Sequence, residues 1–410
     1  MIKTQRSRLN LSMMFSQAGF GIRYVVVLYL VYHLSHSSLA VGATLGIPSA
    51  VQILLAPIGG IAADRLDRPR LIAMSYGMSG LAVGLLWWIL RYAPNLPISH
   101  PLIYILYGVS AAAGTLVSPA YRTLMTEWVT EGELVRWEGL LNALGQGFWL
   151  SGILLTGLMI TFTGPELWLL LSVCLFLGAA LMMVRQFEPH SFRPKRQPMT
   201  HRVLKEIRNV SVSLYLAWRH LRHHPFIWAF AVIISLSNIP HNLLLSLPFF
   251  LAMNLHRGYG GFGILESCIV LGVVIGNVWI AKRITEYRIR NLLVLAFFTQ
   301  SATCLILWIG ARSSFISVLI LLTTYGATDA LFTPAYAHLS IVAPQSVRGQ
   351  VFGLFNLVAL LATPISTVGL GWLLTITSPS HVILALAMTF ALLALLSGRI
   401  VAFKMTTDRE

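Results

Sequence analysis

The chain is 410 residues long, 56% hydrophobic and only 10% charged, with a mean hydropathy of +0.75, far from the usage of soluble domains. That composition excludes a soluble enzyme and leaves room for about a dozen apolar helices of the ~20 residues that a bilayer core requires. A formal net charge of +15 invites a nucleic-acid partner, but the charge gathers in the turns on one side of the apolar runs, which argues for a membrane surface instead.

Apolar runs fall near 11–32, 40–63, 71–91, 101–125, 137–161, 167–185, 226–252, 262–281, 291–311, 315–338, 351–376 and 381–403. The first follows a basic and polar start, Lys3 to Asn10, with no small-residue cleavage site, and reads as a retained helix. With the N-terminus inside, only Arg91, Arg257 and Arg312 fall on the outer side, and Arg23 lies within a span. The positive-inside rule then places both termini in the cytoplasm. The longest stretch outside the spans, 186–225, contains Pro189, Pro194 and Pro198 and is strongly basic. It reads as a linker between an N-terminal part, 1–185, and a C-terminal part, 226–410. Val203, Ile207, Val210, Leu214, Trp218 and Leu221 recur at helical spacing there, as in a helix lying on the inner membrane surface. His220, His223 and His224 in the same segment read as a solvated face. Cys174, Cys268 and Cys304 sit in three different spans without metal-ligand spacing.

The second half repeats the first. Ser118-Pro119-Ala120-Tyr121 returns as Thr333-Pro334-Ala335-Tyr336 at an offset of 215, and Gly139-Leu140-Leu141-Asn142 returns as Gly353-Leu354-Phe355-Asn356 at an offset of 214. Between the second and third spans stands Gly59-Gly60-Ile61-Ala62-Ala63-Asp64-Arg65-Leu66-Asp67-Arg68-Pro69-Arg70. Its pattern G-x-x-x-D-R-x-x-R-x-R, in that position, resembles the signature turn of the major facilitator superfamily. The turn phrasing, the Pro-Ala helix ends and Arg219-His220-Leu221-Arg222-His223-His224-Pro225 resemble the branch that contains bacterial macrolide and enterobactin exporters. The resemblance implies an all-α membrane protein of twelve transmembrane helices in two six-helix pseudo-repeats, with helices 1, 4, 7 and 10 around a central cavity. In the superfamily the acid of the turn meets the cytoplasmic start of helix 11, here near Arg348-Gly349. It implies a gate made by Gly60, Asp64, Arg65, Arg68, Arg70, Arg122 and Gly349, with Glu127 and Arg136 in reach. Two departures stand out. Helix 5 carries Ser151-Gly152-Ile153-Leu154-Leu155-Thr156-Gly157 where antiporters of the superfamily usually carry Gly-Pro, and Gly19-Phe20 stands where relatives often show Gly-Asp.

Ionisable groups inside spans cost about 2.5–3.5 kcal/mol on insertion scales, so they need a compensating role. Arg23 lies about 18 Å along helix 1 from Leu11, too deep to reach either surface. His241 sits in Asn238-Ile239-Pro240-His241-Asn242 of helix 7, where Pro240 releases a backbone carbonyl for polar neighbours to satisfy. The repeat sets Asn238 at the position equivalent to Arg23. Asp329 lies in helix 10, and Glu266 near the outer end of helix 8. Two roles stay open for these groups: substrate binding with proton coupling, in which an imidazole changes charge near neutral pH, or a structural pair of Arg23 with Asp329. No Gly-x-x-x-x-Gly-Lys phosphate loop precedes any lysine and no His-Glu-x-x-His run occurs, so neither an ATP-driven pump nor an intramembrane enzyme is indicated. The expected function is secondary transport by alternating access: proton-coupled export of an amphipathic small molecule, anionic or zwitterionic. An importer or facilitator of an organic anion, and a lysolipid flippase, remain as alternatives. Neither a cofactor nor a metal is expected. The expected surroundings are the inner membrane and its lipid, for a monomer with no nucleic-acid partner.

Overall fold

The computed structural model describes residues 2–92, 101–128, 131–184, 225–281, 289–310, 314–334 and 348–407. Every regular element among them is helical: α1 (Ile2–Ser35), α2 (Ser38–Arg65), α3 (Arg68–Tyr92), α4 (Pro101–Trp128), α5 (Glu131–Thr163), α6 (Pro165–Val184), α7 (Pro225–Asn254), α8 (Gly258–Ala281), α9 (Ile289–Gly310), α10 (Phe315–Asp329, running into a 3₁₀ turn, Ala330–Phe332), α11 (Arg348–Ile376) and α12 (Pro379–Thr407). Eleven of these contain a stretch long and apolar enough to cross a membrane, and α11 contributes the shorter apolar stretch Leu360–Ile376. In hydrocarbon every backbone N–H and C=O must find its partner inside the protein, which is why such sequence becomes helix and nothing else. The predicted linker, its surface helix and its histidines lie outside the described residues, as do the basic turn after α8 and the Ala335-Tyr336 echo.

The chain divides into two compact units, Met1–Ile207 and Arg208–Glu410. In the first, α1 packs on α5 and α6, α2 on α4, and α3 on α4 and α6. In the second, α7 packs on α11 and α12, α8 on α10, and α9 on α10 and α12. Each pair recurs six helices later, so the echo of short motifs in the sequence is carried by an echo of packing. The turns repeat as well: α1 and α7 each end before a left-handed histidine, His36 (φ 48°) and His256 (φ 53°).

Without a hydrophobic drive between helices in lipid, small residues and hydrogen bonds hold them together. In the first unit Ser12 Oγ donates to the Ala179 carbonyl (2.8 Å), Ser172 Oγ to Gly19 (3.0 Å) and Ser79 Oγ to Ser110 (3.0 Å), joining α1 to α6 and α3 to α4. In the second, Ser301 Oγ donates to the Ala387 carbonyl (2.7 Å), joining α9 to α12. At Gly152 of α5 a Cβ would meet the Ala18 carbonyl oxygen at 2.6 Å, and at Gly21 of α1 it would strike the Trp149 carbonyl. The missing proline of helix 5 therefore leaves a close α1–α5 approach intact. The tightest crossing of the second unit is α8 on α10, where Gly272, Gly276 and Gly326 each put backbone against backbone.

Sequence periodicity predicts one apolar helix over 315–338. The structure interrupts it: α-helical bonding ends at Asp329 and tightens into the 3₁₀ turn, with the Thr333 N–H on the Ala330 carbonyl. Pro334 has no N–H to give the preceding turn and its ring crowds the carbonyl four residues back, so the backbone in front of it contracts.

Candidate functional site

Two of the sequence-predicted residues come together in the second unit. Asp329 Oδ1 lies 3.8 Å from His241 Nδ1, with the aspartate side chain 36% and the histidine 25% exposed. The same ring nitrogen lies 3.0 Å from Tyr325 Oη, sharing a hydrogen bond whose direction follows the imidazole tautomer. The two rings are near parallel, at 26° and 6.0 Å between centroids. Tyr325 and Asp329 are one helical turn apart on α10, so both face α7. Asp329 stands at the end of the α-helical bonding, where a negative charge opposes the helix dipole.

These groups open on a cavity of about 200 Å³ lined by Ile234, Ser237, Asn238 and His241 of α7, Gln300 of α9, Asp329 and Phe332 at the end of α10, Thr333 and Phe390 of α12. Asn238 Nδ2 and Ser237 Oγ both donate to the Ile234 carbonyl (2.9 Å each), and Asn242 Nδ2 donates to Asn238 (2.8 Å). These bonds land two residues either side of Leu236, the carbonyl that Pro240 releases, and α7 runs on as helix through Pro240 and Pro248. The expected patch of the proline is thus a stiffening of the turns that flank it. Thr363 Oγ1 of α11 donates to Asn242 Oδ1 (3.2 Å), and Thr333 Oγ1 to Asn277 Oδ1 of α8 (3.1 Å).

Gln300 was not singled out by the sequence. It is 1% exposed, and its Nε2 has no hydrogen-bond partner. A buried amide without a partner costs about 1–3 kcal/mol, so a donor facing this cavity marks it as a place for an acceptor. The signal was present in Thr299-Gln300-Ser301, a polar triplet within an otherwise apolar run. Tyr325, four residues before Asp329, was equally legible.

Glu266 of α8 does not line the cavity. Its Oε2 is buried without a partner. Arg23 belongs to the first unit. It is 5% exposed, and its guanidinium carbon stacks 5.0 Å from the Phe20 ring centroid and 4.7 Å from that of Tyr107. Nε and Nη1 are buried without a hydrogen-bond partner. Among the described residues, the apolar membrane-crossing stretches of this unit contain no acid beyond Glu166, at the start of α6, and Glu166 lies 3.9 Å from Arg91.

The signature turn joins α2 to α3 through Leu66 and Asp67 alone. Arg68 Nε donates to the Ala63 carbonyl (3.3 Å), a cation on the last turn of α2 where the dipole favours it. Arg70 Nε pairs with Asp67 Oδ2 at 3.2 Å. Gly59 sits against α4: a Cβ there would meet the Thr115 carbonyl oxygen at 2.9 Å. Gly60, Asp64 and Arg65 belong to α2, Arg122 and Glu127 to α4, Arg136 to α5 and Gly349 to α11, and their side chains lie outside the described residues.

A doubled bundle of membrane-crossing helices, with a polar cavity enclosed by one of its units, is the build of a solute transporter. The chain belongs to the Major Facilitator Superfamily, whose sequence profile matches residues 9–367. It is an integral membrane protein that transports, and it is not an enzyme. It is 24% identical over 401 residues to the enterobactin exporter EntS of Citrobacter koseri, covering 95% of this chain and 91% of that one. Solved structures share the fold. A mutant of the nucleoside transporter NupG aligns with a TM-score of 0.75 at 12% identity, over 97% of this chain and 99% of that one. A D-xylose-proton symporter aligns with a TM-score of 0.67 at 16% identity, over 96% and 97%.

Proposed function

We propose that the chain is a proton-coupled secondary transporter exporting an amphipathic small molecule, anionic or zwitterionic, by alternating access. The observation that carries this reading is Asp329 beside His241 at the wall of a polar cavity within a membrane-crossing unit. An acid and an imidazole within apolar helices are costly, and about 200 Å³ open beside them supports a binding role. In this reading a proton on Asp329 removes the carboxylate charge that holds the imidazolium, and its loss restores that charge. Substrate and proton then compete for the groups that line the cavity: Asp329, His241, Asn238 and the free amide of Gln300. Glu266 is a second protonatable group of the same unit. Arg23, desolvated and short of acceptors, is the anion-selecting group of the first.

The proposal keeps the inner membrane and both termini cytoplasmic, from the distribution of Lys and Arg. It also keeps a monomer of two bundles, 1–185 and 226–410, with 186–225 between them. Gly60, Asp64, Arg65, Arg68, Arg70, Arg122 and Gly349 are assigned to the gate. Export is favoured by the likeness to an enterobactin exporter. The cationic Arg23 also suits a second reading, an importer or facilitator of an organic anion.

Inside-out vesicles with an imposed pH gradient separate the two. An exporter that exchanges substrate for protons loads such vesicles only when their lumen is acidic, and Asp329→Asn and His241→Ala bring uptake down to that of empty vesicles. Uptake that ignores the gradient, or survives Asp329→Asn, removes the proton-coupled reading. Normal transport by Asp64→Asn removes the gate assignment.

A further inference from the structure

Asp329 and His241 are neighbours without being bonded to each other. Oδ1 and Nδ1 stand 3.8 Å apart, beyond the ~3.2 Å reach of a hydrogen bond, and Nδ1 is already engaged by Tyr325 Oη at 3.0 Å. Polar groups held at that spacing make a place for a bridging water. The cavity beside them is graded in exposure. Its mouth is at the half-buried Asp329 and His241 and the exposed Thr333. Its deep wall is Gln300, 1% exposed, and Phe390, fully buried.

The hydrogen bonds already made by the wall select the occupant. Ser237 Oγ donates its only proton to the Ile234 carbonyl, and Thr333 Oγ1 donates its own to Asn277. Asn238 Nδ2 also bonds to Ile234, which leaves Oδ1 to accept. These three residues and Asp329 therefore present lone pairs. Gln300 Nε2, buried without a partner, presents N–H. A metal cation suits the oxygens but not that N–H. An inorganic anion suits the N–H but meets the carboxylate and the lone pairs. Water donates and accepts from one atom, and a polar cavity with two to four partners per molecule is what holds it. The volume agrees. About 200 Å³ seats several waters at ~30 Å³ each and falls short of the ~300–1,000 Å³ that encloses an organic ligand, so a substrate puts no more than a polar end into it.

We propose that the cavity is a water-binding chamber, in which ordered water anchored by Gln300 Nε2 bridges Asp329 to His241. The relay assigned to this water rests on the proton-coupled reading; the binding of water does not. In the relay the Asp329 carboxyl passes its proton to a water oxygen while that water passes one of its own protons to the imidazole. The water is regained, and a carboxylate then faces an imidazolium. A substrate's polar end enters by displacing the water, which breaks the relay, so proton transfer and substrate binding exclude each other at this wall. Gln300 acts through the water and is a positioning residue.

X-ray radiolysis tests this, because hydroxyl radicals made from a bound water oxidise the side chains beside it. The protein is irradiated in phospholipid nanodiscs without substrate or gradient, and oxygen incorporation is read by mass spectrometry of its peptides. Phe390 should be oxidised although it is fully buried. Its counterpart Phe176, equally buried and packed against Gly19, should not be. Gln300→Met, similar in length but without the amide, should bring Phe390 down to the level of Phe176. It should also slow proton-driven uptake about tenfold, the equivalent of one hydrogen bond to a charged group. The contrast between Phe390 and Phe176 in the parent needs no variant, so it decides the proposal even if the methionine disturbs folding. An unoxidised Phe390 overturns the chamber, even where uptake follows the pH gradient. Oxidation of Phe390 that Gln300→Met leaves unchanged overturns Gln300 as the anchor. Oxidised Phe390 beside uptake that ignores the gradient upholds the water and removes the relay together with the proton-coupled reading.

Discussion

Well inside its apolar helix, α1 of the first unit holds Arg23 under the rings of Phe20 and Tyr107, while α7 of the second holds Asn238 at the same point of the repeat, bonded to its own helix at the edge of a cavity. The aromatic partners correspond too. Phe176 of α6 stacks edge-on with Phe20 at 4.9 Å and fills the space over Gly19. Phe390 of α12, at an offset of 214, packs 6.1 Å from Tyr325 and stops at the cavity wall. One scheme of helix pairs thus yields a unit that plugs its polar position with a long cation and a unit that leaves it open beside an acid and an imidazole. Side-chain volume, not backbone topology, separates them: an arginine is several atoms longer than an asparagine, and interiors packed at crystal density do not hide that difference.

The largest expected effect follows from carrying the first unit's solution into the second. Asn238→Arg should fill the cavity and end transport while the protein still elutes as a folded species. Substrate uptake in vesicles beside a thermal melt checks this, and normal uptake would break the comparison. Next comes removal of the first unit's cation, Arg23→Met. Two buried nitrogens without acceptors cost about 1–3 kcal/mol each, which offsets the ~0.5–2 kcal/mol gained from each of the two rings. The melting temperature should therefore move by no more than about 4 °C, while the KM for an anionic substrate rises about tenfold, as for a lost charge-assisted bond. A large fall in melting temperature with unchanged KM would make Arg23 a packing residue. Tyr325→Phe removes only the 3.0 Å contact with His241, about 1 kcal/mol. It should slow uptake severalfold and leave the fold intact, as circular dichroism would report. The smallest effect belongs to Arg91→Gln. Its 3.9 Å pair with Glu166 is largely exposed, so denaturation midpoints should shift by less than ~1 kcal/mol.

Much of this protein was legible before any coordinates. Apolar runs and the distribution of charge determine a bundle of membrane helices, because lipid permits few alternatives to a saturated helix. The repeated Pro-Ala and Gly-Leu-x-Asn phrases predict the doubling, which the recurring helix pairs express. Asp329 and His241 stood out because an ionisable group in an apolar run is conspicuous. Their union at 3.8 Å and the turn that interrupts α10 after Asp329 are matters of tertiary structure, as is the unpartnered amide of Gln300. One-dimensional pattern reports how often a residue type recurs and how deep it lies. It carries no measure of the space between helices, since that space is the difference between side chains contributed by four of them. For the same reason Gly398 reads in sequence as one more small residue, and only the packing of α12 on α9 turns its missing side chain into a groove.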